Sequence, residues 1–137
     1  MAIGQERILV VEDDEKVAHL LAQVLEEQGH AVHTVSSGAS ALSDLARERP
    51  NLVILDLNLP DINGYQICHV LRKLYHPSVV PVLMLTGMDQ PIDQLRGFAH
   101  GADAYMTKPF VLTELLQTVS TLLGGPEEPG PSFSTPS

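Results

Sequence analysis

Leu52-Val53-Ile54-Leu55-Asp56 is the stretch that decides the fold. Four large apolar residues in succession suit a short strand covered on both faces, whereas a half-exposed strand would alternate apolar with polar. The run is too short for a helix, and Asp56 marks where the chain leaves the core. Arg7-Ile8-Leu9-Val10-Val11 repeats the pattern and runs into Glu12, Asp13 and Asp14. Ala31 to Val35 reads as a second strand. Pro81 to Leu85 reads as a fourth, followed by Thr86-Gly87, and Ala104 to Thr107 as a short fifth before Lys108-Pro109.

Amphipathic segments separate these runs. Lys16 to Gln28 places Val17, Leu20, Leu21, Val24 and Leu25 at helical spacing, with Gly29 as its C-terminal cap. Ser37 is positioned to cap a second helix through Glu48, closed by Pro50. A turn over Leu59 to Gly64 leads into a third helix, to about Tyr75. Pro91 to His100 predicts a fourth, with Asp89 or Gln90 as cap, Pro91 in the first turn and Gly101 closing it. Val111 to Leu123 predicts a fifth. Strands alternating with helices predict an α/β fold, a doubly wound (βα)5 sandwich around a five-stranded parallel sheet. Right-handed crossovers leave few topologies.

The 137 residues suit one domain, placed at 5–124. Residues 125–137, rich in Pro, Gly and Ser, read as a disordered tail or linker stub. A net charge of −9 with eight Lys and Arg disfavours nucleic-acid binding by this chain. One cysteine, Cys68, precludes an internal disulfide, so a cytoplasmic setting is expected, with Cys68 as a half-buried structural thiol. No apolar run approaches the roughly 18 residues of a membrane span, so no membrane role is expected. The six histidines show no metal-ligand spacing.

In an open α/β sheet, ligands bind beyond the carboxyl ends of the strands. Those ends carry Asp13 and Asp14, Asp56, Thr86 and Lys108. Crowded carboxylates repel unless a cation neutralises them, and hard oxygen donors suit Mg²⁺, with Mn²⁺ as a substitute. A carboxylate can attack phosphorus and form an acyl phosphate, while an ammonium and a hydroxyl stabilise the transferring group. Each residue alone has a plainer reading: Asp13-Asp14 as a helix cap, Thr86-Gly87 as a strand exit, Lys108 as a solvated lysine. Their joint placement at the termini of one sheet is what argues for chemistry.

Four ordered segments carry a resemblance: residues 8–14, 52–64, 82–87 and 101–110. The chain closely resembles the receiver domain of two-component response regulators over roughly residues 5 to 124. That resemblance implies strand order 2-1-3-4-5 and a signalling switch rather than a metabolic enzyme. It implies that Asp56 accepts a phosphoryl group from a sensor histidine kinase or phosphotransfer protein. Asp13, Asp14, Asp56 and the backbone carbonyl of Asn58 would hold the metal, and Thr86 and Lys108 would contact the phosphoryl group. The Lys108–Pro109 bond would be cis. Tyr105 would switch with Thr86, and the last two helices with the fifth strand would signal to a downstream effector or a C-terminal output domain. Asn58 and Met88 border the site and are expected to tune the lifetime of the phosphate.

The DNA-binding winged-helix branch of that family often dimerises through charged residues on this last face. Here Val111 to Leu123 holds no basic residue, Thr118 and Ser120 stand where arginines are common, and Ala104 replaces a frequent aspartate. A monomer or weak dimer is therefore expected. Two other functions fit parts of the pattern. A haloacid-dehalogenase-type phosphatase would need an aspartate where Asn58 stands. A flavin-binding module would need a hydroxyl- or glycine-rich loop in place of Glu12-Asp13-Asp14.

Overall fold

A computed structural model describes residues 5–124. The residues read above as a tail lie outside that range. Ten elements alternate along the chain: β1 (Arg7–Val11), α1 (Glu15–Glu27), β2 (Ala31–Val35), α2 (Gly38–Arg47), β3 (Leu52–Leu55), α3 (Gly64–Leu74), β4 (Val82–Thr86), α4 (Pro91–Ala99), β5 (Ala104–Thr107) and α5 (Leu112–Leu122). The strands form one parallel sheet in the order β2-β1-β3-β4-β5. Boundaries move by a residue from the sequence reading. The one that matters is β4, which runs through Thr86 instead of ending before it.

The two-sided burial inferred from Leu52–Leu55 follows from the pleat, which sends successive side chains to opposite faces. Ile8, Val10, Leu52, Ile54, Leu83 and Leu85 pack against Leu21 and Leu25 of α1 and Leu115 and Val119 of α5. The intervening residues Leu9, Val11, Val53, Leu55 and Met84 meet Ala41 and Leu45 of α2 and Ile67, Cys68 and Leu71 of α3. Cys68 is fully buried rather than half-buried, and burial pushes its thiol up to about 11.

Local chemistry fixes the helix ends. Ser37 Oγ accepts the Ser40 N–H at 3.1 Å, and the Gln90 N–H donates to Asp93 at 3.0 Å ahead of Pro91. Gly29 and Gly101 close α1 and α4 at φ of 95° and 109°, a region open to glycine without steric cost. Helix α4 differs from the rest. Its buried residues are Asp93 and Gly97, while Ile92, Leu95 and Phe98 face outward. Past its C-terminal end, Arg72 of α3 donates to Gly101 O (2.9 Å) and the Asp103 carboxylate (2.7 Å), and it also donates to Val80 O ahead of β4 (2.7 Å).

Candidate functional site at the sheet's carboxyl edge

The strand order reverses between β1 and β3, and the crevice beyond their carboxyl ends is where this architecture places a ligand. Glu12 and Asp13 follow β1 there, and Asp56 follows β3. One carboxylate oxygen from each of Glu12, Asp13 and Asp56 lies within 4.8 Å of the others. Glu12 and Asp56 are buried, whereas Asp13 is exposed, so the cluster opens to solvent on one side.

The acidic set differs from the expected one by a single residue. Asp14 caps α1, its Oδ1 accepting the N–H groups of Lys16 (2.9 Å) and Val17 (3.3 Å). Glu12 occupies the interior position, its N–H still bonded to the Val35 carbonyl of β2 at 3.0 Å, while helix α1 begins at Glu15 and claims the preceding carboxylate for its unpaired donors.

Lys108 ties the buried carboxylates together. Its Nζ donates to Glu12 Oε1 at 2.6 Å and to Asp56 Oδ2 at 3.0 Å. Burial pulls the Lys108 ammonium down, but the bonds to Glu12 and Asp56 outweigh it and leave its pKa above the usual lysine value. Burial raises the Glu12 carboxyl, and the Lys108 bond and the Asp14 N–H oppose it without cancelling it. The other Asp56 oxygen, Oδ1, accepts the Asn58 N–H at 3.1 Å. Both oxygens of Asp56 are thus held in place. The Lys108–Pro109 peptide bond is cis.

Thr86 ends β4, next to β3, with its side chain buried. Its Oγ1 accepts the Met88 N–H at 3.4 Å, and its carbonyl accepts the Lys108 N–H at 2.8 Å. Tyr105 OH donates to the Met88 carbonyl at 2.6 Å. The Met88 backbone therefore links Thr86 to Tyr105. The Tyr105 ring lies under α4 at Gly97, where an added Cβ would stand 2.8 Å from its Cδ2. Burial pushes the Tyr105 hydroxyl up to about 12. Asn58 is exposed and Met88 half-buried at the rim.

Three carboxylates against one ammonium leave excess negative charge in a partly buried crevice. The donors are hard oxygens with an open side for water, as a small divalent cation requires. The residues present fit such an ion. They also place a carboxylate whose two oxygens are oriented beside a lysine, an arrangement suited to receiving a phosphoryl group.

Fold and site together define a strand-end aspartate site on a doubly wound sheet. The response regulator receiver domain family model matches residues 8–120, and the chain belongs to that family. It is 40% identical over 127 residues to the Bacillus subtilis alkaline phosphatase synthesis transcriptional regulatory protein PhoP, covering 93% of this chain and 52% of PhoP. It is 38% identical over 133 residues to the Escherichia coli transcriptional regulatory protein CreB, covering 97% of this chain and 56% of CreB. The chain thus spans about half the length of these curated relatives. The BeF3-activated N-terminal receiver domain of Klebsiella pneumoniae RstA superposes with a TM-score of 0.80 at 32% identity, covering 85% of this chain and 97% of that one. No described helix is long and apolar enough to cross a membrane.

Proposed function

We propose that Asp56 is the phosphoacceptor of this receiver domain. The observation that carries the reading is Lys108 Nζ held between Asp56 Oδ2 and Glu12 Oε1, beside three clustered carboxylates. A carboxylate oxygen of Asp56 forms the new O–P bond as the P–N bond to a donor phosphohistidine breaks. The electron pair stays with the imidazole nitrogen, which is reprotonated from water. Lys108 then pairs with a phosphoryl oxygen, and the Thr86 hydroxyl donates to another. A Mg²⁺ ion, for which Mn²⁺ can substitute, would be held by Glu12, Asp13, Asp56 and the Asn58 carbonyl. It supplies charge neutralisation to the transferring group.

The donor is a sensor histidine kinase or a phosphotransfer protein. Movement of Thr86 toward the phosphoryl group would pull the Met88 backbone and with it Tyr105, changing the surface formed by α4, β5 and α5. That surface would address an effector protein or an output domain. Asn58 and Met88 border the acceptor and set how long the acyl phosphate survives. A changed decay rate in Asn58→Leu is the expected sign of that role.

Intact mass after incubation with acetyl phosphate and Mg²⁺ tests the central step. The native chain gains one phosphoryl group and Asp56→Asn does not. Equal gain in both would place the acceptor elsewhere.

A further inference from the structure

We infer that Asp61 is a positioning residue for the phosphoacceptor, fastening the loop that carries Asn58 to the N-terminus of α2. The inference rests on Asp56 being the acceptor. Asp61 Oδ1 accepts the Gly38 N–H at 2.8 Å, and Oδ2 accepts the Ala39 N–H at 2.9 Å, across more than twenty residues of chain. These are first-turn donors of α2 with no partner inside the helix. Ser37, the local cap, serves a different one, the Ser40 N–H. The first turn of α2 has no acidic residue of its own, so Asp61 is the anion at that end of the helix dipole. The Ala39 and Gly38 N–H groups hold its carboxyl below the usual aspartate range.

Apolar packing reinforces the same junction. A Cβ at Gly38 would lie 2.7 Å from Ile62 Cβ, so the helix start and the loop touch directly. At its root the loop is fixed by other means. Gly64 N–H donates to Leu57 O at 3.2 Å, and a Cβ on Gly64 would lie 2.8 Å from Asp56 O. Asn63 caps α3 through the Tyr65 N–H at 2.7 Å. The outward excursion between these anchors contains Asn58, whose N–H orients Asp56 Oδ1 and whose carbonyl is a proposed cation ligand. Asp61 is the carboxylate that ties this excursion to a helix. It is exposed, so replacing it leaves the core packing intact.

The test compares Asp61→Ala with Ser37→Ala in the full chain, by amide chemical-shift titration with MgCl₂ and by acetyl phosphate kinetics. Both variants remove a cap from α2, but Ser37→Ala leaves the loop attached. Asp61→Ala is expected to weaken Mg²⁺ binding about tenfold. Its phosphorylation rate falls at low Mg²⁺ and recovers at saturating Mg²⁺, while Ser37→Ala lowers the melting temperature without moving Mg²⁺ affinity. Native Mg²⁺ affinity in Asp61→Ala, or an equal loss in Ser37→Ala, overturns the inference while leaving the acceptor reading standing. A native chain that gains no phosphoryl mass overturns the acceptor reading first.

Discussion

At the scale of single residues, Lys108 shows how burial and charge decide what a site can do. Its ammonium touches Glu12 and Asp56, so its removal leaves two buried carboxylates facing each other uncompensated. Lys108→Met, close in size, should fold but gain phosphoryl mass about a hundredfold more slowly, read from the initial rate with acetyl phosphate. Cys68 makes the opposite case. With its pKa raised to about 11, the thiol stays protonated through neutral and mildly alkaline pH, and the thiolate is the reactive form. Native protein at pH 8 should resist Ellman's reagent and react at once in urea. The cation set was only partly legible in Glu12-Asp13-Asp14. Three adjacent acids allow two neighbouring pairs, and the capping of α1 by Asp14 leaves Glu12 and Asp13 as the pair clustered with Asp56. The helix-capping reading of Asp14 was available in the sequence and is the one the hydrogen bonds support.

Among the elements, those with continuous apolar runs were the most readable, because a strand covered on both faces leaves little room for polar residues. Leu52–Leu55 and Ile8–Val11 are fully buried. Helix α4 was legible in its punctuation, Gln90-Pro91 and Gly101, but not in its packing. Ile92, Leu95 and Phe98 point outward. Contacts across the chain cause this. The Tyr105 ring takes the space beneath the helix, and Gly97 yields it. Alanine at position 97 should favour the helix by about 1 kcal/mol on propensity alone. Against that, its Cβ would approach Tyr105 to 2.8 Å and Met84 Sδ to 3.0 Å. Gly97→Ala should therefore lower the melting temperature, and the loss should shrink in a Tyr105→Ala background. An equal loss in both backgrounds would show that the ring is not the obstacle.

Across the whole molecule, alternating strands and helices predict a parallel sheet covered on both faces, and right-handed crossovers narrow its topologies; the strand order was implied by the family resemblance, and the sheet has that order. Association is set elsewhere. α5 carries no Lys or Arg, and Thr118 turns its hydroxyl back onto the Glu114 carbonyl at 2.9 Å. A charge-paired dimer through α5 would find no basic side chain on that helix. Sedimentation velocity with beryllofluoride and Mg²⁺ should show a monomer or weak dimer. A tight dimer joined through α4, β5 and α5 that dissociates with salt would contradict this. The Arg72 contacts bear on a different property. Two of them pin the chain just past the C-terminal end of α4 to α3, and the Asp103 carboxylate also accepts the Val82 N–H of β4 at 2.8 Å. The opposite end has one capping pair and a long bond from Tyr65 OH to the Asp93 carbonyl at 3.5 Å. The helix is fastened like a door, with the more lightly held edge beside Thr86. Deuterium uptake should show this as a gradient, faster at Asp93–Leu95 than at Phe98–Gly101, with Arg72→Ala levelling the two.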